Sequence, residues 1–206
     1  MLVSDRDDVL RLLGDVWRAH PDMSVHGLCT LLLDNGLRWD TSDADAAALL
    51  HFLSLQRPAR VEALPCVVLV DGGARRVVVD TRAVVVLGQS QVTWFRHEGT
   101  VVGELGTQLV VDGVHRLGVV ERIVPLDAGW GKSRPFFVAF ESGACAVIGR
   151  KARVFVKKRR EVEVHHCGAV VAVDMPVIGQ ELTIVCSQPW PADQGVVSYF
   201  VPIENS

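Results

Sequence analysis

Apolar positions recur at two different periods along this chain. From Val9 to Leu53 they fall three and four residues apart, the spacing that lines one face of a helix. Ser4 can cap the first helix, with Asp7 at the capping-box position. Val9, Leu12, Leu13, Val16 and Trp17 then form its apolar stripe, and Pro21 ends it. Ser24 caps a second helix with the stripe Val25, Leu28, Cys29 and Leu32, stopped by Asn35-Gly36. Ser42, with Asp45 three residues on, opens a third, whose apolar part runs from Ala46 to Leu53. The pattern predicts a small helical domain over residues 1–56, built as a bundle or a helix-turn-helix-like unit.

Gln56-Arg57-Pro58-Ala59-Arg60 reads as a linker. Beyond Pro65 the period changes to two, broken by short apolar runs. These predict strands at 66–70, 75–80, 83–87, 91–96, 100–105, 108–111, 115–124, 136–140, 144–148, 153–157, 162–165, 169–173, 181–186 and 196–201. Asp71-Gly72-Gly73, His97-Glu98-Gly99, Asp112-Gly113 and Glu141-Ser142-Gly143 are the turn signals between them. Many short strands with close turns mean antiparallel sheets. The predicted fold is α+β and predominantly antiparallel β: a small three-helix unit, then a β-barrel or β-sandwich region over 64–206. The loop 125–135 offers a subdivision into 64–124 and 135–206. Residues 136–148 form a strand-turn-strand segment that resembles the central hairpin of SH3-like barrels, which leaves two SH3-like subdomains as one form of that split.

Composition supports this picture. Hydrophobic residues make up 49% of the 206 and aromatics only 6%. Val dominates, and β-branched side chains favour the pleated surface of a sheet. The five cysteines, Cys29, Cys66, Cys145, Cys167 and Cys186, are odd in number, lie in apolar surroundings and form no CxxC pair. They are expected to be buried, reduced thiols of a cytoplasmic or other reducing compartment. The acidic N-terminus does not read as a signal peptide, and no apolar run approaches the roughly 18–20 residues that span a bilayer. A soluble protein without a membrane partner is expected.

Motifs for chemistry are sparse. Gly131-Lys132-Ser133 lacks the upstream Gly of a phosphate-binding loop, since Leu126 stands there, and Pro135 follows where a helix should open. In a strand only His165 and Cys167 of His165-His166-Cys167 share a face, two ligands short of a closed zinc site. There is no Gly-x-Ser-x-Gly, His-Glu-x-x-His or Gly-x-Gly-x-x-Gly. No catalytic, cofactor-binding or metal-binding residue is therefore assigned, and an enzyme would need a site assembled in three dimensions. The helical unit carries nine Asp against six Arg in residues 1–60, the wrong sign for phosphate contact.

Charge singles out one stretch. Arg150, Lys151, Arg153, Lys157, Lys158, Arg159 and Arg160 put seven cations into eleven residues. The chain has 21 basic and 24 acidic residues; without these seven it has 14 against 24. A hairpin pairing Val156 with Val162 and Val154 with Val164 would bury the valines. It would set Lys157 against Glu161, Phe155 against Glu163 and Arg153 against His165, and leave Lys158-Arg159-Arg160 as an uncompensated tip. Such charges keep an exposed hairpin soluble. Alternatively, Arg153, Phe155 and Lys157 form a strip for stacking and phosphate contact. Two partner classes follow. The first is another protein or a second copy, bound by a non-catalytic binding or assembly module through sheet edges and the loop aromatics Trp130 and Trp190. The second is RNA or single-stranded nucleic acid, bound through 150–160.

Overall fold

The computed structural model describes residues 3–88, 91–126, 134–159, 161–191 and 194–204. These contain three helices followed by thirteen strands in two antiparallel sheets, an α+β fold as the two periodicities require. The chain divides into two compact units. One comprises Met1–Arg82 with Arg96–Pro125, the other Ala83–Phe95 with Leu126–Ser206.

In the first unit α1 (Val3–Arg18), α2 (Val25–Asp34) and α3 (Asp43–Gln56) share one core of Leu12, Val16, Leu28, Leu32, Leu50 and Leu53. Ser24 and Ser42 cap as expected, accepting from the Gly27 and Asp45 amides. α1 already begins at Val3, so Ser4 lies inside it. The stripe of α2 is narrower than its pattern implies. Its buried arc centres on Leu28, Leu31 and Leu32, which leaves Val25 and Cys29 facing water.

The strands of this unit are β1 (Cys66–Val70), β2 (Arg75–Val79), β5 (Val101–Val102), β6 (Gln108–Val111) and β7 (His115–Pro125), in the order β2-β1-β7-β6-β5. β5 is far shorter than predicted. A Cβ at Gly103 would meet Leu109 at 2.8 Å, and the chain turns at once through Glu104–Thr107. Nor is 56–60 a loose linker. The Leu105 amide donates to Ala59, the Val61 amide to Gly103, and Arg60 bridges Glu104.

The second unit contains β3 (Ala83–Leu87) and most of β4 (Val92–Arg96), which are neighbours, and a six-stranded sheet. That sheet runs β12 (Ile184–Cys186), β11 (Val162–Val173), β10 (Lys151–Lys157), β9 (Cys145–Ile148), β8 (Phe136–Phe140), β13 (Val197–Pro202). Trp94 of β4 stacks on Tyr199 at 5.9 Å and tilts against Phe137 at 6.1 Å. The two strands predicted at 162–165 and 169–173 are one. Gly168, at φ +74°, absorbs a bulge there, and a Cβ would collide with the Ser187 hydroxyl. After β11 the chain crosses to β13. The Gly179 amide donates to Val197, the Val197 amide to Gln180, and Glu181 bridges Val196, so the two ends of the sheet meet at one corner.

Candidate functional site

The basic stretch forms β10 and the turn into β11, but one residue out of the expected register. Lys157 pairs with Val162, Val156 with Glu163, Phe155 with Val164, Val154 with His165 and Arg153 with His166. The Lys158 amide donates to Glu161 at 2.8 Å, so the loop takes in Glu161 and is one residue longer than predicted. Sliding by one in an antiparallel pair changes every cross-strand partner.

Two consequences follow for charge and stacking. Lys158, expected to be uncompensated, forms an ion pair with Glu163, which also lies 3.5 Å from His165 Nε2. Each partner shifts the other: Lys158 is held above its ordinary value by Glu163, and Glu163 below its own by Lys158. Lys157, expected to face Glu161, has no ion-pair partner among the described residues. Phe155 is only 3% exposed, with the Arg153 guanidinium 5.7 Å from its ring centroid. Its ring offers no open face to a base. Val154, on the opposite side of the strand, is also buried, so β10 is covered on both faces at its centre. Arg150, Lys151, Lys157, Lys158 and Arg159 are exposed. Arg160 and Trp130 lie outside the described residues, as does Gly131-Lys132-Ser133.

Trp190 is placed at the corner where the sheet ends meet. It is half-buried, with its ring set edge-on to Phe140 at 6.4 Å and 68°. Phe140, Glu181, Leu182, Trp190, Pro191, Gln194 and Gly195 line a cleft of about 230 Å³. The Glu181 carboxylate is exposed and has no ion-pair partner among the described residues. Along β11, β12 and the segment between them, Val171, Met175, Val177, Ile178 and Val185 are large apolar side chains in water, Val171 at 71% exposure. β12 is a three-residue edge strand. Two signals in the sequence mark this corner. One is the run Val170-Val171-Ala172-Val173-Asp174-Met175-Pro176-Val177-Ile178. The other is that residues 161–206 contain Glu161, Glu163, Asp174, Glu181, Asp193 and Glu204 but no Lys or Arg.

A second polar centre lies in the first unit. Asp15, buried on α1, accepts from Arg60 Nη2 at 2.6 Å, Arg18 Nη1 at 3.0 Å and Arg11 Nη1 at 3.5 Å. Arg18 also reaches Glu104 at 3.2 Å. Asp15 raises the Arg60 pKa above its ordinary value through that short hydrogen bond. Arg60 Nε lies 3.4 Å from Glu62 yet outside hydrogen-bond geometry, leaving it buried and unpaired. His97 is buried too: Nε2 donates to the Asp80 carbonyl at 2.7 Å, and Nδ1 lies 3.9 Å from Asp112 with no hydrogen bond. Both centres tie local segments together. Neither brings a nucleophile within reach of a base, the minimum for covalent chemistry.

All five cysteines are free thiols, but they are not all buried. Cys29 is exposed and Cys186 half-buried. Burial pushes the Cys66 and Cys145 thiols up to about 12, into the inert range. Cys167 is buried against the core with Sγ 3.8 Å from the His165 carbonyl, while His166 is exposed. Among the described residues no group of three or more His, Cys, Asp or Glu could hold a metal ion. No helix among them is long and apolar enough to cross a membrane. No family model, curated protein or solved structure matches the chain.

Proposed function

We infer that this chain is a non-catalytic protein-binding module, and that the β11–β12 corner of its second unit is the docking surface. The observation that carries this reading is the run of five exposed large apolar side chains, Val171, Met175, Val177, Ile178 and Val185, on β11, on the edge strand β12 and on the segment that joins them. Exposed apolar clusters of this kind, rimmed by polar groups, mark interaction sites. A short edge strand with unpaired backbone groups can accept an extended segment. The partner is a different protein with a positively charged face. The charged residues of 170–186 are Asp174 and Glu181, both acidic, so a basic partner face complements this segment.

The test is quantitative capture from source-cell extract with three forms of the chain. These are the wild type, Val171→Glu/Ile178→Glu, and Lys157→Ala/Lys158→Ala/Arg159→Ala. Proteins held by the wild type should be lost from the first variant and kept by the second. Retention by both variants refutes the corner as the docking surface. Salt-sensitive retention of RNA, abolished only in the second variant, refutes the protein-binding reading in favour of the basic hairpin.

A further inference from the structure

The cleft at the sheet corner has the chemistry of a cation site. Its ring is Trp190, half-buried and set at 68° to the buried Phe140. Glu181 adds a carboxylate with no ion-pair partner among the described residues. Leu182 and Pro191 complete the lining, most of whose exposed surface is polar. Among the described residues no basic side chain lines the cleft, and none occurs anywhere in 161–206. An indole attracts a cation through its negative π face, and a carboxylate beside it adds a second attraction of the same sign. At about 230 Å³ the cleft lies below the roughly 300–1,000 Å³ typical of whole-metabolite pockets. It suits the end of one side chain. The ring and carboxylate match the charged head of a Lys or Arg, whose methylene stem lets it reach in from a partner's backbone.

We propose that the Trp190–Glu181 cleft binds the side chain of a Lys or Arg residue presented by a protein partner. The identity of that donor rests on the protein-binding reading; the cation site does not, because it can be tested with small probes alone. n-Butylammonium and n-butylguanidinium mimic the two side chains, tetramethylammonium stands for a free quaternary cation, and n-pentanol is a neutral control of similar shape. Each is titrated into the full chain labelled with 15N, and the indole N–H resonance of Trp190, assigned through Trp190→Phe, is followed.

The butyl cations should shift it saturably, with Kd on the order of 10 mM for one exposed ring and one exposed carboxylate. The pentanol response should be linear and small. Glu181→Gln should weaken cation binding about two- to fivefold. Its sheet amides should stay in place, which separates lost affinity from lost fold. Raising the salt concentration should weaken binding in the wild type more than in the variant. An equal response to pentanol, or an unchanged Kd in Glu181→Gln, overturns the cation site. Tighter binding of tetramethylammonium than of either butyl cation overturns the assignment to a Lys or Arg side chain. If the butyl cations bind as expected but Val171→Glu/Ile178→Glu still captures every partner, the cleft stands and the docking surface falls.

Discussion

Replacing Asp15 by Asn is the sharpest test of what holds the helices of the first unit to its strands. The change is nearly isosteric, so it opens no cavity and removes only the charge. The Asp15 side chain is 7% exposed, whereas Arg60 is 37% and Arg18 55% exposed. Removing one partner of a fully buried ion pair costs ~3–5 kcal/mol, and an exposed pair contributes ~0–1 kcal/mol. Here the anion is buried but the cations keep access to water, so the cost falls between these limits. Arg60, at 2.6 Å and least exposed, contributes most, about 1.5–3 kcal/mol as a hydrogen bond to a charged group. Arg18, solvated and shared with Glu104, adds ~0.2–1 kcal/mol, and Arg11 at 3.5 Å adds little.

The expected loss is therefore about 2–4 kcal/mol, read as a lower urea midpoint at unchanged slope. The two units need not unfold together, so a probe confined to the first is required. Exchange of the Val61 and Leu105 amides serves, because they bond to Gly103 and Ala59 beside the Arg60 bridge. Arg60→Met closes the cycle. The pair should couple by at least ~1 kcal/mol, and Arg60→Met should cost much less once Asp15 is gone. A loss below ~0.5 kcal/mol with no coupling would refute the view that this contact anchors α1.

The thiols give a second prediction. At pH 8, iodoacetamide followed by mass spectrometry should label Cys29 and leave Cys66 and Cys145 unmodified until the chain is unfolded, since burial holds both near 12. The basic hairpin gives a third. Glu163 is held below its ordinary value of 4.5, so its contribution to hairpin order is present above that value and lost as pH falls through its lowered pKa. Lys158 is raised from 10.5, so its share is present below that value and lost as pH rises through its raised pKa. Amide exchange at Lys158 and Glu161, corrected for its intrinsic pH dependence, should be slowest between these limits. Glu163→Gln should remove the acid-side loss.

The strands were legible because their signals are local. Asp71 and Asp112 both adopt φ 53° and are followed by glycines at φ +73° and +70°, so two turns read from Asp-Gly alone have the same left-handed start. Asp71 accepts from the Val119 amide and from Arg75, and Asp112 from the Gly99 amide, so each side chain also fixes its turn to a neighbouring strand. Helix caps at Ser24 and Ser42 were legible for the same reason. Signals that depend on a partner strand were not. The alternation in Val154-Phe155-Val156 and Val162-Glu163-Val164 favours valine against valine, yet the structure pairs Val156 with Glu163, one residue along, with Lys158 brought to Glu163 across the longer loop. The break expected between 165 and 169 is absent because Gly168 lets β11 continue, its left-handed φ absorbing the bulge beside Ser187.

The candidate site suffered from the same limit in another form. A block of cations is visible in any window, whereas a cleft built from Phe140, Glu181 and Trp190 joins positions about forty and ten residues apart in sequence, which have no common period. What could have revealed it is an asymmetry. β10 and its turn carry exposed cations, and every residue after Arg160 is neutral, acidic or His. The turn after β10 and the Glu181 cleft carry opposite charge, so a basic partner group that suits the second is disfavoured by the first. Neutralising Lys157, Lys158 and Arg159 should therefore leave cation binding at Trp190 intact or strengthen it. Losing it would mean that the two ends act as one surface.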